Sequence, residues 1–350
     1  MDRLTSLAGL TLPEIEKLLS VPRFRAGQIY RWIVRGVSDF DQMTDIPNSL
    51  RDDLKSRFRL FSGTVCESYD DVDTKKIALS FKDGIKIEAV LLSDGKKRLT
   101  ACLSTQAGCP VGCVFCKTGS LGFKRNLEGN EIVEQFLFLR NAAAVDTYES
   151  SQRHIIDNIV VMGMGEPLLN LEQLRKAIAV FTDKRGLNLS RRRITVSTCG
   201  ICSGLYDIAE NGPFVRLALS LATADENLRQ KLIPITATNP LQKVKEALLL
   251  FQSKGGGRVT LEIPLLGGVN TRDKDARYTA EFAKGLDTVV NIIPWNPVAG
   301  LEFEGKPLRV PEKKECENFI VMLESLGLKV TMRFRKGGGV MGACGQLGSV

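Results

Sequence analysis

Three cysteines in one short segment constrain this chain more than any other feature. Cys109, Cys113 and Cys116 are spaced as C-x3-C-x2-C in a sequence of 350 residues. Thiolates are the usual protein ligands of iron–sulfur clusters, and three of them on one loop can wrap around a single cubane. A 4Fe–4S cluster held by three cysteines leaves one iron without a protein ligand. The motif therefore predicts a cluster whose open iron can hold a substrate.

A zinc site is the alternative that these residues leave open. Cys113 and Cys116 could join Cys199 and Cys202, a second C-x2-C pair, to supply the four sulfur ligands of a structural zinc. That set would leave Cys109 without a role, and it would need two pairs that lie far apart in the sequence. The cluster is therefore the favoured interpretation.

The composition is that of a soluble globular protein with room for one large domain and a small one. Charged residues make up 25% of the chain and hydrophobic residues 43%. The net charge of +8 and the pI near 9.0 favour a polyanionic partner. Basic runs lie at Lys96-Lys97-Arg98, Lys124-Arg125, Arg191-Arg192-Arg193 and Arg333-x-Arg335-Lys336.

The cysteine count and the start of the chain favour a reducing compartment. The nine cysteines are an odd number, and their spacing is not that of a disulfide scaffold. Residues 1–4 lead into an amphipathic pattern and not into a secretory leader. No apolar run is long enough to span a bilayer. We expect a cytoplasmic protein without a membrane partner. We expect its one histidine, His154, to be structural or at the surface and not catalytic.

The hydrophobic periodicity changes twice along the chain. Residues 1–62 have helical spacing, with Thr11-x-x-Glu14 as a capping box. Residues 63–98 alternate as short strands, with Asp83-Gly84 as a hairpin turn. From residue 99 onward, strand and helix patterns alternate in six repeats, which predicts a parallel α/β sheet. Ligands of such folds bind at the C-terminal ends of the strands.

The C-x3-C-x2-C motif resembles the signature of the radical S-adenosylmethionine (SAM) enzymes. In those enzymes SAM chelates the open iron and is cleaved reductively to a 5′-deoxyadenosyl radical. Cys102 lies seven residues before Cys109, and Cys344 lies in a C-terminal GACGQL. This pair resembles that of the adenine-carbon-2 RNA methyltransferases and of their relative that methylates carbon 8. The PWNP sequence around Asn296 favours the carbon-2 enzymes.

The resemblance runs over nearly the whole chain and implies an open (βα)6 partial barrel. The expected parts are a helical accessory domain that engages RNA (1–62), a β-meander (63–98), the barrel (99–335) and a tail with a methyl-carrier cysteine (336–350). The implied cofactors are one 4Fe–4S cluster and two SAM molecules per turnover. The implied partners are 23S rRNA at its peptidyl-transferase centre, tRNA as a second substrate, and an electron donor such as flavodoxin. We expect a monomer.

The resemblance also implies SAM contacts, residue by residue. The turn after strand 158–162 is similar to a GGEP-type element that holds the SAM amino group. The implied contacts are Gly165, Glu166, Ser197, Ser220, Leu221, Ala222 and Asn296. The family commonly has histidine where Ala222 stands, so a contact at that position would have to come from the backbone.

The chemistry that the resemblance implies divides the reaction among three side chains. Cys344 takes a methyl group from the first SAM, and the radical from the second SAM removes a hydrogen atom from that methyl group. The resulting carbon radical adds to the electron-poor carbon 2 of adenine. Glu88 takes the carbon-2 proton, and Cys102 releases the product by forming a disulfide with Cys344. The glycine run 337–339 departs from the arginine-glycine-acid-acid segment of the family.

Two other functions are alternatives. One is the carbon-8 rRNA methyltransferase of the antibiotic-resistance type. The other is a zinc-stapled RNA-binding protein without catalysis, which the metal content of the purified protein would distinguish.

Overall fold

The computed structural model describes residues 5–95, 98–145, 156–332 and 337–348. Some features discussed above lie outside these ranges. They are His154 and the basic residues Lys96, Lys97, Arg333, Arg335 and Lys336.

Residues 5–60 form the helical unit that the sequence predicts. It contains α1 (Leu12–Leu19), α2 (Arg23–Val34) and α3 (Asn48–Arg57), with a short parallel pair, β1 (Thr5–Ser6) and β2 (Phe58–Arg59). The Glu14 carboxylate accepts a 2.7 Å hydrogen bond from the backbone N–H of Thr11, which confirms the capping box at the start of α1.

Strands and helices alternate through most of the remaining chain. The other strands described are β3 (Thr64–Asp71), β4 (Thr74–Ser80), β5 (Lys86–Ser93), β6 (Leu99–Cys102), β7 (Gln106–Gly108), β8 (Phe123–Asn126), β9 (Asn158–Val161), β10 (Ile194–Thr198), β11 (Arg216–Ser220), β12 (Val259–Leu265), β13 (Thr288–Pro294), β14 (Glu302–Phe303), β15 (Lys306–Pro307) and β16 (Val330–Met332). The other helices described are α4 (Lys117–Ser120), α5 (Gly129–Val145), α6 (Leu171–Thr182), α7 (Cys202–Asn211), α8 (Glu226–Leu232), α9 (Leu241–Ser253), α10 (Asp273–Ala283) and α11 (Lys313–Ser325).

One sheet carries both the barrel and the hairpin strands. Within the described ranges it has ten strands in the order β16-β13-β12-β11-β10-β9-β6-β5-β4-β3. Strands β6, β9 to β13 and β16 are parallel to one another, and β3, β4 and β5 add to β6 as an antiparallel extension. The parallel α/β architecture is confirmed. The structure adds a seventh parallel strand, β16, to the six that we predicted.

Helices α7, α8 and α10 are absent from the sequence-based prediction. Helix α7 begins after Ile201, which offers no capping side chain, and it contains Gly204, a poor helix former. Helix α8 has only seven residues. Packing against the sheet stabilises such helices, and this is invisible in a local pattern. No helix in the described ranges is long and apolar enough to cross a bilayer.

Candidate active site

A cavity lies at the C-terminal ends of the parallel strands, where we expected a ligand. Its volume is about 990 Å³ when the open solvent at its mouth is counted. All three motif cysteines line it, as do the ends of β9, β10 and β11 and residues of β12 and β13. The fold therefore brings the cysteine motif and the strand ends to one place.

The cysteine loop holds its shape through backbone contacts that need glycine. The Cys109 N–H donates to the Gly122 carbonyl at 3.1 Å, and the Cys116 N–H donates to the Cys113 carbonyl at 3.2 Å. Gly108 has a φ of +72°, and a Cβ there would lie 1.8 Å from the Gly122 oxygen. Only glycine fits this crossing of the two backbones, which presents the three thiols to one cavity.

Burial keeps these thiols protonated when no metal is bound. It raises the pKa of Cys109 to about 12 and the pKa of Cys113 well above its ordinary value. Burial also raises the pKa of Cys116, although hydrogen bonds from Gly119 and Thr118 oppose the rise. Thiolate is the form that binds metal. Iron must therefore displace protons from these cysteines when a cluster assembles.

The donor set suits a cluster better than a single metal ion. Among the described residues, no group of three or more His, Cys, Asp or Glu side chains is arranged to hold one metal ion. The four cysteines of the zinc alternative lie in the described ranges, and they form no such group. In a cubane each cysteine binds a different iron, so three thiols around one cavity suffice. The residues present fit a 4Fe–4S cluster.

One amide oxygen in the same cavity is an unsatisfied hydrogen-bond acceptor. The Oδ1 atom of Asn296 is buried and has no hydrogen-bond partner among the described residues. Asn296 also lines the cavity beside the three cysteines. Buried polar atoms are nearly always paired, so this oxygen fits a bound molecule with an N–H or O–H group, as SAM has.

The turn after β9 is built close to the cysteine segment. Gly165 has a φ of +102°, and a Cβ there would lie 2.5 Å from Cβ of Gln106. The Glu166 carboxylate accepts hydrogen bonds from the backbone N–H groups of Cys199 at 2.8 Å and Leu168 at 3.0 Å. Both Gly165 and Glu166 line the cavity. The Glu166 side chain thus fixes the conformation of the turn. The groups that the turn presents to a ligand are therefore those of its backbone.

Glu262 is a cavity residue that the sequence analysis missed. Its Oε2 atom accepts a 2.8 Å hydrogen bond from Oγ of Ser197, and it is 6% exposed. Ser197 is one of the predicted SAM contacts. An acidic residue inside the otherwise apolar strand LEIPL was the available signal, because a buried carboxylate needs a partner.

The C-terminal tail is tied to the cavity mouth by hydrogen bonds. The Asn296 side-chain amide donates to the Cys344 carbonyl at 3.0 Å, and the Lys117 N–H donates to the Gly345 carbonyl at 2.8 Å. Thr118 Oγ1 donates to the Leu347 carbonyl at 2.7 Å. Cys344 is exposed yet lines the cavity together with Cys109, Cys113 and Cys116. The tail thus brings Cys344 beside the cluster cysteines.

Two glycines of the tail run lie close to the β3–β4 hairpin. A Cβ on Gly339 would lie 2.7 Å from Oδ2 of Asp71, and one on Gly337 would lie 3.0 Å from Cγ2 of Thr74. Asp71 and Thr74 belong to the β3–β4 hairpin. The glycine run 337–339, which stands where the family has an acidic segment, therefore packs closely on this hairpin.

Four predicted site residues do not line the cavity. Cys102 is half-buried at the end of β6, between Val90 and Val160. Leu221 and Ala222 are buried, and their N–H groups donate to the Glu262 carbonyl at 2.9 and 3.3 Å. Glu88 is the fourth.

Glu88 is completely buried and has both carboxylate oxygens engaged. Oε1 accepts from Nζ of Lys76 at 2.9 Å, and Oε2 accepts from the N–H of Gly348 in the tail. Its backbone carbonyl accepts from Oγ of Ser104 at 2.6 Å, and the same hydroxyl accepts from the Met164 N–H at 2.8 Å. Glu88 is therefore linked both to the turn after β9 and to the tail.

The basic runs lie in different places on the fold. Arg125 forms ion pairs with Asp83 at 2.6 Å and Glu131 at 2.7 Å. The exposed run Arg191–Arg193 precedes β10, so it lies at the edge of the sheet opposite the cavity.

Comparisons with known proteins agree with this arrangement. Residues 103–282 match the radical SAM superfamily, and residues 5–60 match the ribosomal RNA large subunit methyltransferase N-terminal domain. A probable dual-specificity RNA methyltransferase RlmN from Treponema denticola is 49% identical over 99% of this chain and 96% of the relative. The relative of the same name from Thermus thermophilus is 41% identical over 93% of this chain and 88% of the relative.

A solved structure has the same fold over its full length. The crystal structure of a radical SAM methyltransferase from Sphaerobacter thermophilus superposes with a TM-score of 0.89 at 37% sequence identity. The match covers 98% of this chain and 99% of that one. The chain belongs to the radical SAM superfamily and, within it, to the dual-specificity RNA methyltransferases of the RlmN type.

Proposed function

We propose that this chain methylates carbon 2 of an adenine in 23S rRNA, at the peptidyl-transferase centre, and in tRNA. Cys344 supports this more than any other observation, because the tail holds it at the cavity that the three motif cysteines line. A methyl-carrier thiol has to reach both the cofactor and the RNA. An exposed cysteine at the mouth of a cofactor cavity meets both requirements.

The residues have separate roles in this proposal. Cys109, Cys113 and Cys116 hold the cluster. The SAM contacts are Gly165, Glu166, Ser197, Ser220 and Asn296, which line the cavity, whereas Leu221 and Ala222 do not line it and hold the end of β11 against Glu262 of β12. When bound, the cluster and two SAM molecules per turnover supply the methyl group and the one-electron chemistry that an electron-poor aromatic carbon requires.

Three side chains of the protein act on the RNA or on each other. Cys344 carries the methyl group as S-methylcysteine and joins it to carbon 2. Glu88 removes the carbon-2 proton, and the adduct radical gives up one electron, which the cluster would accept; together these losses rearomatise the base. The Cys102 thiolate then attacks the Cys344 sulfur, so that a disulfide forms and the bond from sulfur to the methylene carbon breaks. That carbon leaves with the electron pair and takes up a proton to become the methyl group. An external reductant of the flavodoxin type supplies electrons, and a thiol reductant restores the two cysteines.

Anaerobic turnover with an rRNA fragment tests this function. The reaction contains iron-loaded protein, SAM, a flavodoxin-type reductant and a transcript of the peptidyl-transferase region. Nucleoside mass spectrometry should find 2-methyladenosine with wild-type protein and with Cys66→Ser, an exposed cysteine on β3. It should find none with Cys344→Ala.

Each alternative predicts a different result. 8-Methyladenosine as the product would assign the chain to carbon-8 methylation. Zinc without iron or sulfide in anaerobically purified protein would favour the RNA-binding protein without catalysis. Both outcomes contradict the proposal.

A further inference from the structure

The most deeply buried charge near the cluster cysteines belongs to a residue without an assigned role. Arg229 in α8 is 0% exposed and is the largest fully buried side chain in the described ranges. Helix α8 touches the cysteine loop directly, since the Val114 N–H donates to the Leu232 carbonyl at 3.1 Å. The helix that carries Arg229 therefore packs against the cysteine loop.

The hydrogen bonds of Arg229 all end on neutral oxygens. Nε donates to the Leu221 carbonyl at 3.0 Å, and Nη1 donates to Thr236 Oγ1 at 2.6 Å. Nη2 donates to the carbonyls of Cys199 and Ser220. These contacts tie the ends of β10 and β11 together. They satisfy the N–H groups, but they bring no negative charge to the guanidinium.

No ion pair joins Arg229 to a carboxylate in the part of the chain that the structure describes. The acid that acts electrostatically on Arg229 is Glu226 of the same helix, but its carboxylate accepts from the Leu241 N–H and forms no ion pair with the guanidinium in the described ranges. A buried charge without a counter-charge is costly, and arginine does not lose its proton at neutral pH. Some other negative group must offset it.

The cluster site can supply that negative charge. Three thiolates on a 4Fe–4S core give a net negative assembly, and reduction adds one more electron to it. The guanidinium lies against this site, because its Nη2 atom donates to the carbonyls of Cys199 and Ser220, and both residues line the cavity together with the three motif cysteines. A fixed positive charge stabilises the reduced form more than the oxidised form, so it raises the reduction potential.

We propose that Arg229 is a positioning and charge-compensating residue, which offsets the charge of the cluster and raises its reduction potential. This inference rests on the cluster of the proposed function and not on the RNA target. Arg229 acts through the cluster site and has no contact with RNA. If Arg229 only held β10 and β11 together, a variant at this position that still folds would keep the reduction potential of the cluster unchanged.

The test is a redox titration of the reconstituted cluster, followed by the electron paramagnetic resonance signal of its reduced form. This signal arises only from folded, cluster-containing molecules. Arg229→Gln should shift the potential to more negative values, whereas Arg229→Lys, which keeps the charge, should remain near wild type. Lys231→Gln is the matched control, because Lys231 lies on the same helix but is 60% exposed and paired with Glu304.

The outcomes separate charge from packing. Equal potentials in wild type and Arg229→Gln, or equal shifts in the Gln and Lys variants, would overturn the proposal. If Arg229→Gln retains no cluster while Arg229→Lys does, the charge requirement is supported; loss of the cluster in both would make Arg229 a packing residue. Zinc in place of iron in wild-type protein would overturn the proposed function and this inference together, before any variant is compared.

Discussion

The Nζ atom of Lys76 lies 2.9 Å from Oε1 of Glu88, and neither side chain is more than 3% exposed. The two residues are on the adjacent strands β4 and β5. The other oxygen of Glu88 accepts from Gly348, which is 260 positions away in the sequence. In this arrangement the proposed base is closed off from any RNA. The tail that carries Cys344 therefore has to move before Glu88 can act.

Loss of Lys76 should destabilise the protein. Lys76→Met leaves a buried carboxylate without its counter-charge, which costs about 3–5 kcal/mol of unfolding free energy. The double variant Lys76→Met/Glu88→Gln should recover most of this loss, since it removes both charges. Urea denaturation of the cluster-free chain measures Lys76→Met, Glu88→Gln and the double variant against wild type. Additive effects of the two substitutions would show that the pair is not coupled.

Replacement of Cys102 should stop the reaction at a covalent stage. Cys102→Ala removes the thiolate proposed to attack the Cys344 sulfur, so the protein stays bonded to the RNA after at most one turnover. Denaturing gel electrophoresis with labelled RNA detects the adduct. The double variant Cys102→Ala/Cys344→Ala is the control and should form none. Free methylated RNA at the wild-type yield from Cys102→Ala would exclude the resolving role.

Thr118 should hold the tail in place. Thr118→Val removes the 2.7 Å hydrogen bond to the Leu347 carbonyl, which contributes about 1 kcal/mol. Local opening of residues 343–348 should become about fivefold more frequent, and amide hydrogen exchange there should accelerate accordingly. Ser120→Ala is the control, because Ser120 lies on the same short helix and its hydroxyl donates to the Lys117 carbonyl and not to the tail. Equal exchange in both variants would mean that other contacts hold the tail.

Glu134 should make stability depend on pH. It accepts hydrogen bonds from Ser6, Ser62 and Gly63, and so joins α5 to the N-terminal unit. Burial raises its pKa from 4.5 to about 7. The folded state therefore favours the protonated acid, and this stabilisation is present below the unfolded pKa and is lost as the pH rises through 7.

The matched variant for this prediction is Glu134→Gln, which cannot titrate. Between pH 5 and pH 8 its unfolding free energy should rise by roughly 2 kcal/mol relative to wild type, because only wild type has to ionise a buried acid over this range. Thermal or urea unfolding across the range measures this difference. A difference that stays constant with pH would contradict the raised pKa.

The parts that could be predicted from the sequence are those with a local signature. The cysteine spacing, the glycine turn after β9 and the strand that precedes it each lie within a few residues. Periodicity was enough to locate six of the seven parallel strands described and most of the helices, but it missed β16. The rule that ligands bind at the C-terminal ends of strands then placed the cavity correctly.

Long-range contacts escaped prediction for a physical reason. In the sequence Lys76 looks like an ordinary strand lysine. Its ion pair with Glu88 forms only because β5 pairs with β4. Arg229 sits in a polar helical segment whose burial depends on the ends of β10 and β11. The contact between Gly348 and Glu88 requires the whole barrel to fold before the two residues meet. None of these leaves a periodic or compositional trace.

The mass of the peptide that contains Cys344 tests the central claim most directly. Protein that contains iron and sulfide is purified without oxygen from cells and digested, and the C-terminal peptide is measured. We predict that a methyl group replaces the thiol hydrogen of Cys344, and that Cys316, a buried cysteine on α11, is unmodified. An unmethylated Cys344 in a preparation that converts rRNA adenine to 2-methyladenosine would contradict the account.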